Sequence, residues 1–273
     1  MANFEDGKLE TQDGYHLHTA KCIPGTAPKA AVMVVHGYGE HYGRYEHVID
    51  ALTAGGYAVY TIDHRGHGKS SGERAYFETI DQPIDDLKAY FDANKSAFPS
   101  GKVFMLGHSM GALISLMFAL KFQDALNGLV ISGVPLTADQ NVSPALITAA
   151  NVLNRIVPKA QLADTAPISE LSTDPEVAVK FAADPLTFKG KMRVRMGVAI
   201  NTGAKWAREH LTTLTIPALM MHGAQDKICP PSGSQLAYDR ISSKDKTIKL
   251  YPGMKHEIFN EVERNRPISE MIE

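Results

Sequence analysis

The chain has 273 residues, 44% of them hydrophobic and 21% charged, which is enough to bury the core of one large α/β unit. Its net charge of −2 supplies no broad positive field, which argues against nucleic acid or another polyanion as a partner. The start of the chain lacks the basic flank and apolar run of a secretory signal, no stretch offers the roughly 18 uninterrupted apolar residues of a membrane span, and Cys22 and Cys229 are too few and too far apart for a disulfide framework or a zinc site, so a cytosolic protein is expected.

In chain order, short apolar runs at 30–35, 57–62, 102–106 and 129–132 end in glycine-rich polar turns and lead into helical periodicity. Buried parallel strands with crossover helices give that pattern. Between Pro135 and Pro217 the strand pattern stops. Helical spacing takes over, with Val142, Leu146, Ala149, Leu153, Ile156 and Val157 on one predicted face. Strand-like runs resume at 218–221 and 247–251. The expected architecture is a mostly parallel central sheet flanked by helices, built from residues 1–134 and 217–273, with a helical cap inserted over 135–216. No Pro/Ser-rich linker sets the cap apart, so it should roof the crevice at the carboxyl ends of the strands, where such sheets bind ligands.

Gly107-His108-Ser109-Met110-Gly111 stands between the run 102–106 and the helical stretch 112–122. A G-x-S-x-G in that context is the nucleophile elbow of the α/β-hydrolase fold, a strained turn that lifts the serine oxygen clear of the sheet. Ser109 then needs a base, and the base needs an acid to orient it. The fold dictates the order serine, acid, histidine. Asp226 follows the run 218–221, and His256, the only histidine after it, follows the run 247–251. Oxyanion donors are expected from the main-chain N–H of Met110 and of Tyr38, the latter in the turn His36-Gly37-Tyr38-Gly39. His36 and His108 read as structural histidines. The loop Asp63-His64-Arg65-Gly66-His67-Gly68-Lys69-Ser70 lacks both a second half for a metal site and the G-x-x-x-x-G-K-[ST] of a phosphate loop, and it reads as a rigid turn. No cofactor and no metal are expected.

Together His36-Gly37-Tyr38-Gly39-Glu40-His41 with Arg44-Tyr45, the loop 63–70 running on to Gly72-Glu73-Arg74, the elbow, Asp226-Lys227-Ile228-Cys229 and Lys246–Tyr251 before His256 resemble monoacylglycerol lipases and the related lysophospholipases, as Asp184-Pro185-Leu186 does within the cap. The resemblance implies catalytic Ser109, Asp226 and His256, oxyanion donors Tyr38 and Met110, and a cap whose apolar face admits one acyl chain. It also implies that Glu40, His41 and Arg44 shape or brace the entrance and that Cys229 lies near the pocket. A small lipid ester is the expected partner. The cap face, with Arg193 and Arg195 adding positive charge, is expected to touch a micelle or membrane. Lysophospholipase, general carboxylesterase and acyltransferase activities use the same triad. An intact triad argues against a binding protein that has lost turnover.

Overall fold

The apolar runs form the centre of one eight-stranded sheet in the computed structural model, which describes residues 4–273. The chain opens with a hairpin of β1 (Phe4–Glu10) and β2 (His16–Cys22). It continues through β3 (Ala31–Val35), α1 (Glu46–Ala54), β4 (Ala58–Ile62), α2 (Asp81–Asn94), β5 (Val103–His108), α3 (Met110–Phe122) and β6 (Gly128–Ser132). An excursion follows, with α4 (Pro144–Ile156), β7 (Gln161–Ala163), α5 (Pro175–Ala183), β8 (Met192–Arg193) and α6 (Val194–His210). The chain then returns as β9 (Ala218–Gly223), α7 (Ser232–Arg240), β10 (Lys246–Tyr251) and α8 (Asn265–Ile272). The sheet order is β1-β2-β4-β3-β5-β6-β9-β10, and β2 alone runs against its neighbours. This is the predicted α/β-hydrolase fold.

Side chains alternate across a strand, so a strand covered on both faces reads as one unbroken apolar run. In β3, Ala31, Met33 and Val35 join the core beneath α2, α3 and α6, while Val32 and Val34 join a second core beneath α1 and α8. Two apolar layers thus clamp the strands. The carboxyl ends of β3, β5, β6, β9 and β10, from which the predicted site loops emerge, are fixed as a row.

Three features differ from expectation. The first two strands carry no apolar run: β1 turns Glu5, Asp6, Gly7 and Lys8 to solvent, and β2 mixes His, Thr and Lys with buried Leu17, Ala20 and Cys22. Such charged, half-covered strands suit a sheet edge. Strand structure also does not stop between Pro135 and Pro217, because β7 and β8 pair antiparallel there, Gln161 opposite Arg193. The predicted apolar face of α4, expected to line an acyl channel or to rest on a lipid surface, is mostly turned outward, with Leu146 60% and Ile156 70% exposed. Ile147, Ala150, Leu153 and Asn154 are the half-buried side instead, against α6, where Arg195 Nε donates to Asn154 Oδ1 at 2.7 Å. Apolar residues occupy more than one stripe of α4, so spacing alone does not select the buried one.

The two cap arginines are also not free surface charges. Arg193 is buried, pairs with Glu73 at 3.0 Å, donates to the Arg74 carbonyl and lies over the Tyr76 and Phe188 rings. Arg195 pairs with Glu78 at 3.0 Å. Both charges are spent on holding the excursion to the loop after β4. From there α6 runs back to the sheet and places Met196, Ala199, Ala204 and Ala207 in the core it shares with α3. Among the described residues no helix is long and apolar enough to cross a membrane.

Candidate active site

The one residue between β5 and α3 is Ser109, at φ +54° and ψ −123°. Among the described residues only Ala75 shares a positive φ without being glycine. A side chain held there costs about 1–3 kcal/mol, which the surroundings must impose. Ser109 N–H donates to the Ser132 carbonyl at 2.8 Å, and Ser109 C=O accepts from Ala112 N–H at 2.9 Å. The flanking glycines are required by space. A Cβ on Gly107 would lie 2.4 Å from the Gly111 carbonyl oxygen, and one on Gly111 would lie 2.2 Å from that of Val35. Gly111→Ala is therefore expected to push β3 and α3 apart and to lower stability by about 3 kcal/mol, read as a shift in the urea unfolding midpoint.

Asp226 leaves the loop after β9 with all its acceptor capacity in use. Its Oδ1 accepts from the N–H groups of Ile228 and Cys229 at 2.8 and 2.9 Å. Its Oδ2 faces His256 Nδ1 at 2.7 Å and His222 Nε2 at 3.0 Å. Burial alone would raise this carboxyl, but His256 and His222 outweigh it and hold Asp226 well below the usual carboxylate range. His222 Nε2 also points at the Cys229 carbonyl at 2.8 Å, so it must carry a proton, and its Nδ1 meets Ser234 Oγ at 2.7 Å. The imidazole of His222 is locked from both sides. The signal for it in the sequence is its place four residues before Asp226, at the end of β9.

With Asp226 on Nδ1, the lone pair of neutral His256 is on Nε2, the tautomer a base for serine requires. Burial lowers the pKa of this ring, yet Asp226 outweighs that effect, with Glu257 and Glu40 adding to it, and the net direction is upward from 6.5. The His108 ring lies 4.7 Å from it, kept neutral by its own burial, which pushes its pKa down to about 3. Gly133, at φ +61°, passes beneath both: a Cβ there would stand 3.1 Å from His256 Cε1 and 3.2 Å from His108 Cε1. His256 thus lies beside the end of β6, where Ser132 holds Ser109. Cys229 is buried near Ser109, and burial lifts its thiol well above its usual range, so it stays protonated.

The turn after β3 runs along the other side of Ser109. A Cβ on Gly37 would lie 3.2 Å from Ser109 Cβ, so only glycine lets this backbone pass. Met110 opens α3, where main-chain N–H groups have no intrahelical acceptor. His36 fixes the turn by donating from Nδ1 to the Gly37 carbonyl at 2.8 Å and accepting His64 N–H on Nε2 at 3.0 Å. The loop 63–70 is a rigid turn, with Asp63 accepting the N–H groups of Tyr42 and Lys69 at 3.0 and 2.9 Å. From the cap, Asp184 meets His41 Nε2 at 2.8 Å, and Phe188 N–H donates to the Gly39 carbonyl at 2.7 Å.

Residues 26–263 match the family described as serine aminopeptidase, S33. The chain belongs to this family. It is 35% identical to a monoacylglycerol lipase of Mycolicibacterium smegmatis over 241 residues, which is 88% of this chain and 86% of that protein. It is 32% identical to human monoglyceride lipase over 257 residues, 93% of this chain and 84% of that one. The crystal structure of Paleococcus ferrophilus monoacylglycerol lipase matches with a TM-score of 0.84 at 30% identity, covering 94% of this chain and 96% of that chain. The resemblance carried by the motifs therefore extends along the whole fold of this family member. Sequence reasoning missed, besides His222, the buried carboxylates Glu257, next in the chain to the predicted base, and Glu261, which accepts Lys255 N–H at 2.7 Å.

Proposed function

We propose that this family member hydrolyses the carboxylic ester of monoacylglycerols through an acyl-Ser109 intermediate, releasing fatty acid and glycerol. The observation that carries the reading is the buried Asp226–His256 pair at 2.7 Å beside a serine held at φ +54°. His256 Nε2 takes the Ser109 proton as Oγ attacks the ester carbonyl, and the main-chain N–H groups of Tyr38 and Met110 receive the oxyanion. Each such donor contributes roughly 3 kcal/mol to the transition state. Collapse returns the proton to the departing glycerol oxygen. Water then attacks the acyl carbonyl as His256 takes its proton, and His256 returns that proton to Ser109 Oγ as the acyl–oxygen bond breaks and the fatty acid leaves. No cofactor takes part in these steps. An ester is favoured over a peptide because the relatives at 30% identity or more, aligned over most of their length, are named for glycerides.

The cap, 135–216, is read as the roof of the acyl site. Leu146, Val152, Ile156, Leu162 and Val179 are each more than half exposed on it, and we read them as the face that rests on a micelle or membrane. A roofed site with one acyl channel holds one chain, whereas a triacylglycerol brings three. Monoacylglycerols of medium or long chain are expected to exceed matched triacylglycerols at least about tenfold in kcat/KM, a margin of roughly 1.4 kcal/mol. Initial rates on C8 to C18 pairs in detergent micelles measure this. Equal rates on both would leave a general lipase or esterase in place of the monoacylglycerol reading.

A further inference from the structure

Glu40, Arg44 and Glu257 form a buried cluster that the triad mechanism does not use. Their side chains are 4%, 11% and 4% exposed. Arg44 Nη1 donates to Glu40 Oε2 at 2.6 Å and to Glu257 Oε1 at 2.7 Å, and Nη2 donates to Glu257 Oε2 at 2.7 Å. The other Glu40 oxygen accepts Gly37 N–H and Tyr45 O–H, both at 2.7 Å. Asn260 Nδ2 donates to Glu257 Oε2 at 2.9 Å, and Phe181 of α5 lies under the guanidinium at 4.9 Å. The main-chain N–H of Glu257 is held by the Leu171 carbonyl at 2.7 Å. One chain of bonds therefore runs from the backbone beside Tyr38 to the residue next to His256.

Two carboxylates on one guanidinium, with water excluded, are a poor device for stability, since apolar residues of similar volume often hold such elements as well or better. The arrangement does supply geometry and charge. Its fork fixes two loops in register, and one negative charge is left over on the side of His256.

Resting on the proposed Ser109–His256–Asp226 chemistry, we infer that Glu257 is a positioning residue. Through Arg44 and Glu40 it locks the loop of the base to the loop of the oxyanion donor, and it favours the imidazolium that forms when Ser109 gives up its proton. The groups facing His256 are Asp226 on Nδ1, the neutral His108 ring at 4.7 Å, and the Glu40–Arg44–Glu257 cluster. The upward direction of the His256 pKa agrees with a net negative surround.

Two variants separate the roles. Glu257→Gln keeps the shape and removes the charge, whereas Arg44→Lys keeps the charge and removes the fork. The readouts are kcat and KM on a soluble nitrophenyl ester from pH 5 to 9, with a thermal melt for each protein. The acidic limb of wild type should lie above about 6.5, and Glu257→Gln should move it down by roughly 0.5 pH unit or more. Arg44→Lys should leave that limb in place and lower kcat by about tenfold to a hundredfold with KM nearly unchanged. Glu257→Asp should recover part of both properties. If Glu257→Gln does not fold, Arg44→Lys and Glu257→Asp decide. Limbs within about 0.2 unit and kcat values within about twofold of wild type, whatever the melting temperatures, would overturn the inference. Activity surviving in Ser109→Ala would instead sink the triad reading beneath it.

Discussion

Ser109→Ala is expected to fold as wild type does and to lose about 10⁴- to 10⁶-fold in kcat, the range seen when the nucleophile of a serine triad is removed and only the oxyanion donors and binding remain. The loss should be this deep because no neighbour is equipped to substitute. Cys229 is the nearest alternative nucleophile, but its thiol is buried and held protonated. His256 would still be a base, with nothing to deprotonate but water. Stability should hardly change, since alanine meets the same strain at φ +54° and the hydrogen bonds that fix the turn are made by main-chain atoms. A fluorophosphonate probe should label wild type and leave the variant unmarked. Labelling of Ser109→Ala at the wild-type rate would place the nucleophile elsewhere.

How far the sequence alone reaches depends on how local each signal is. The central strands β3, β4, β5, β6 and β9 are covered on both faces and announce themselves as apolar runs, whereas β10, a half-exposed edge strand, is legible only as the short strand-like run 247–251. The elbow was legible too, because its two glycines and its strand and helix are contiguous. β1, at the edge, and β2 beside it are not, because strands partly in water carry charged and polar residues where a buried one carries valine. The excursion between β6 and β9 is legible as helical but not in orientation: the half-buried stripe of α4 is set by its packing on α6, some forty residues later. Arg193 misled for the same reason. Its partners Glu73, Tyr76 and Phe188 come from other parts of the chain, and nothing adjacent to it signals burial. Glu257 is the clearest case. Beside His256 it looks like any surface glutamate, and only the return of the chain to Arg44, 213 positions earlier, makes it a buried partner.

Asp226→Asn should cost about 10⁴-fold in kcat, with the loss set by which way the amide is forced to turn. Oδ1 of Asp226 accepts two main-chain N–H groups, from Ile228 and Cys229, so the amide oxygen must take that place. The NH₂ then occupies the Oδ2 position, facing His256 Nδ1 and His222 Nε2. His256 can answer only by giving up its Nδ1 proton and carrying it on Nε2, which removes the lone pair that Ser109 needs. His222 cannot answer at all. Its Nε2 proton is held by the Cys229 carbonyl at 2.8 Å, so donor faces donor, at roughly 1–3 kcal/mol. The variant should therefore show two separable losses: a chemical one in kcat, with ¹⁵N imidazole shifts reporting the Nε2–H tautomer of His256, and a smaller one in thermal stability. Alanine at 222 in the Asp226→Asn background should relieve the donor conflict without restoring turnover, whereas a single variant retaining kcat within about tenfold of wild type would move the acid of the triad away from Asp226.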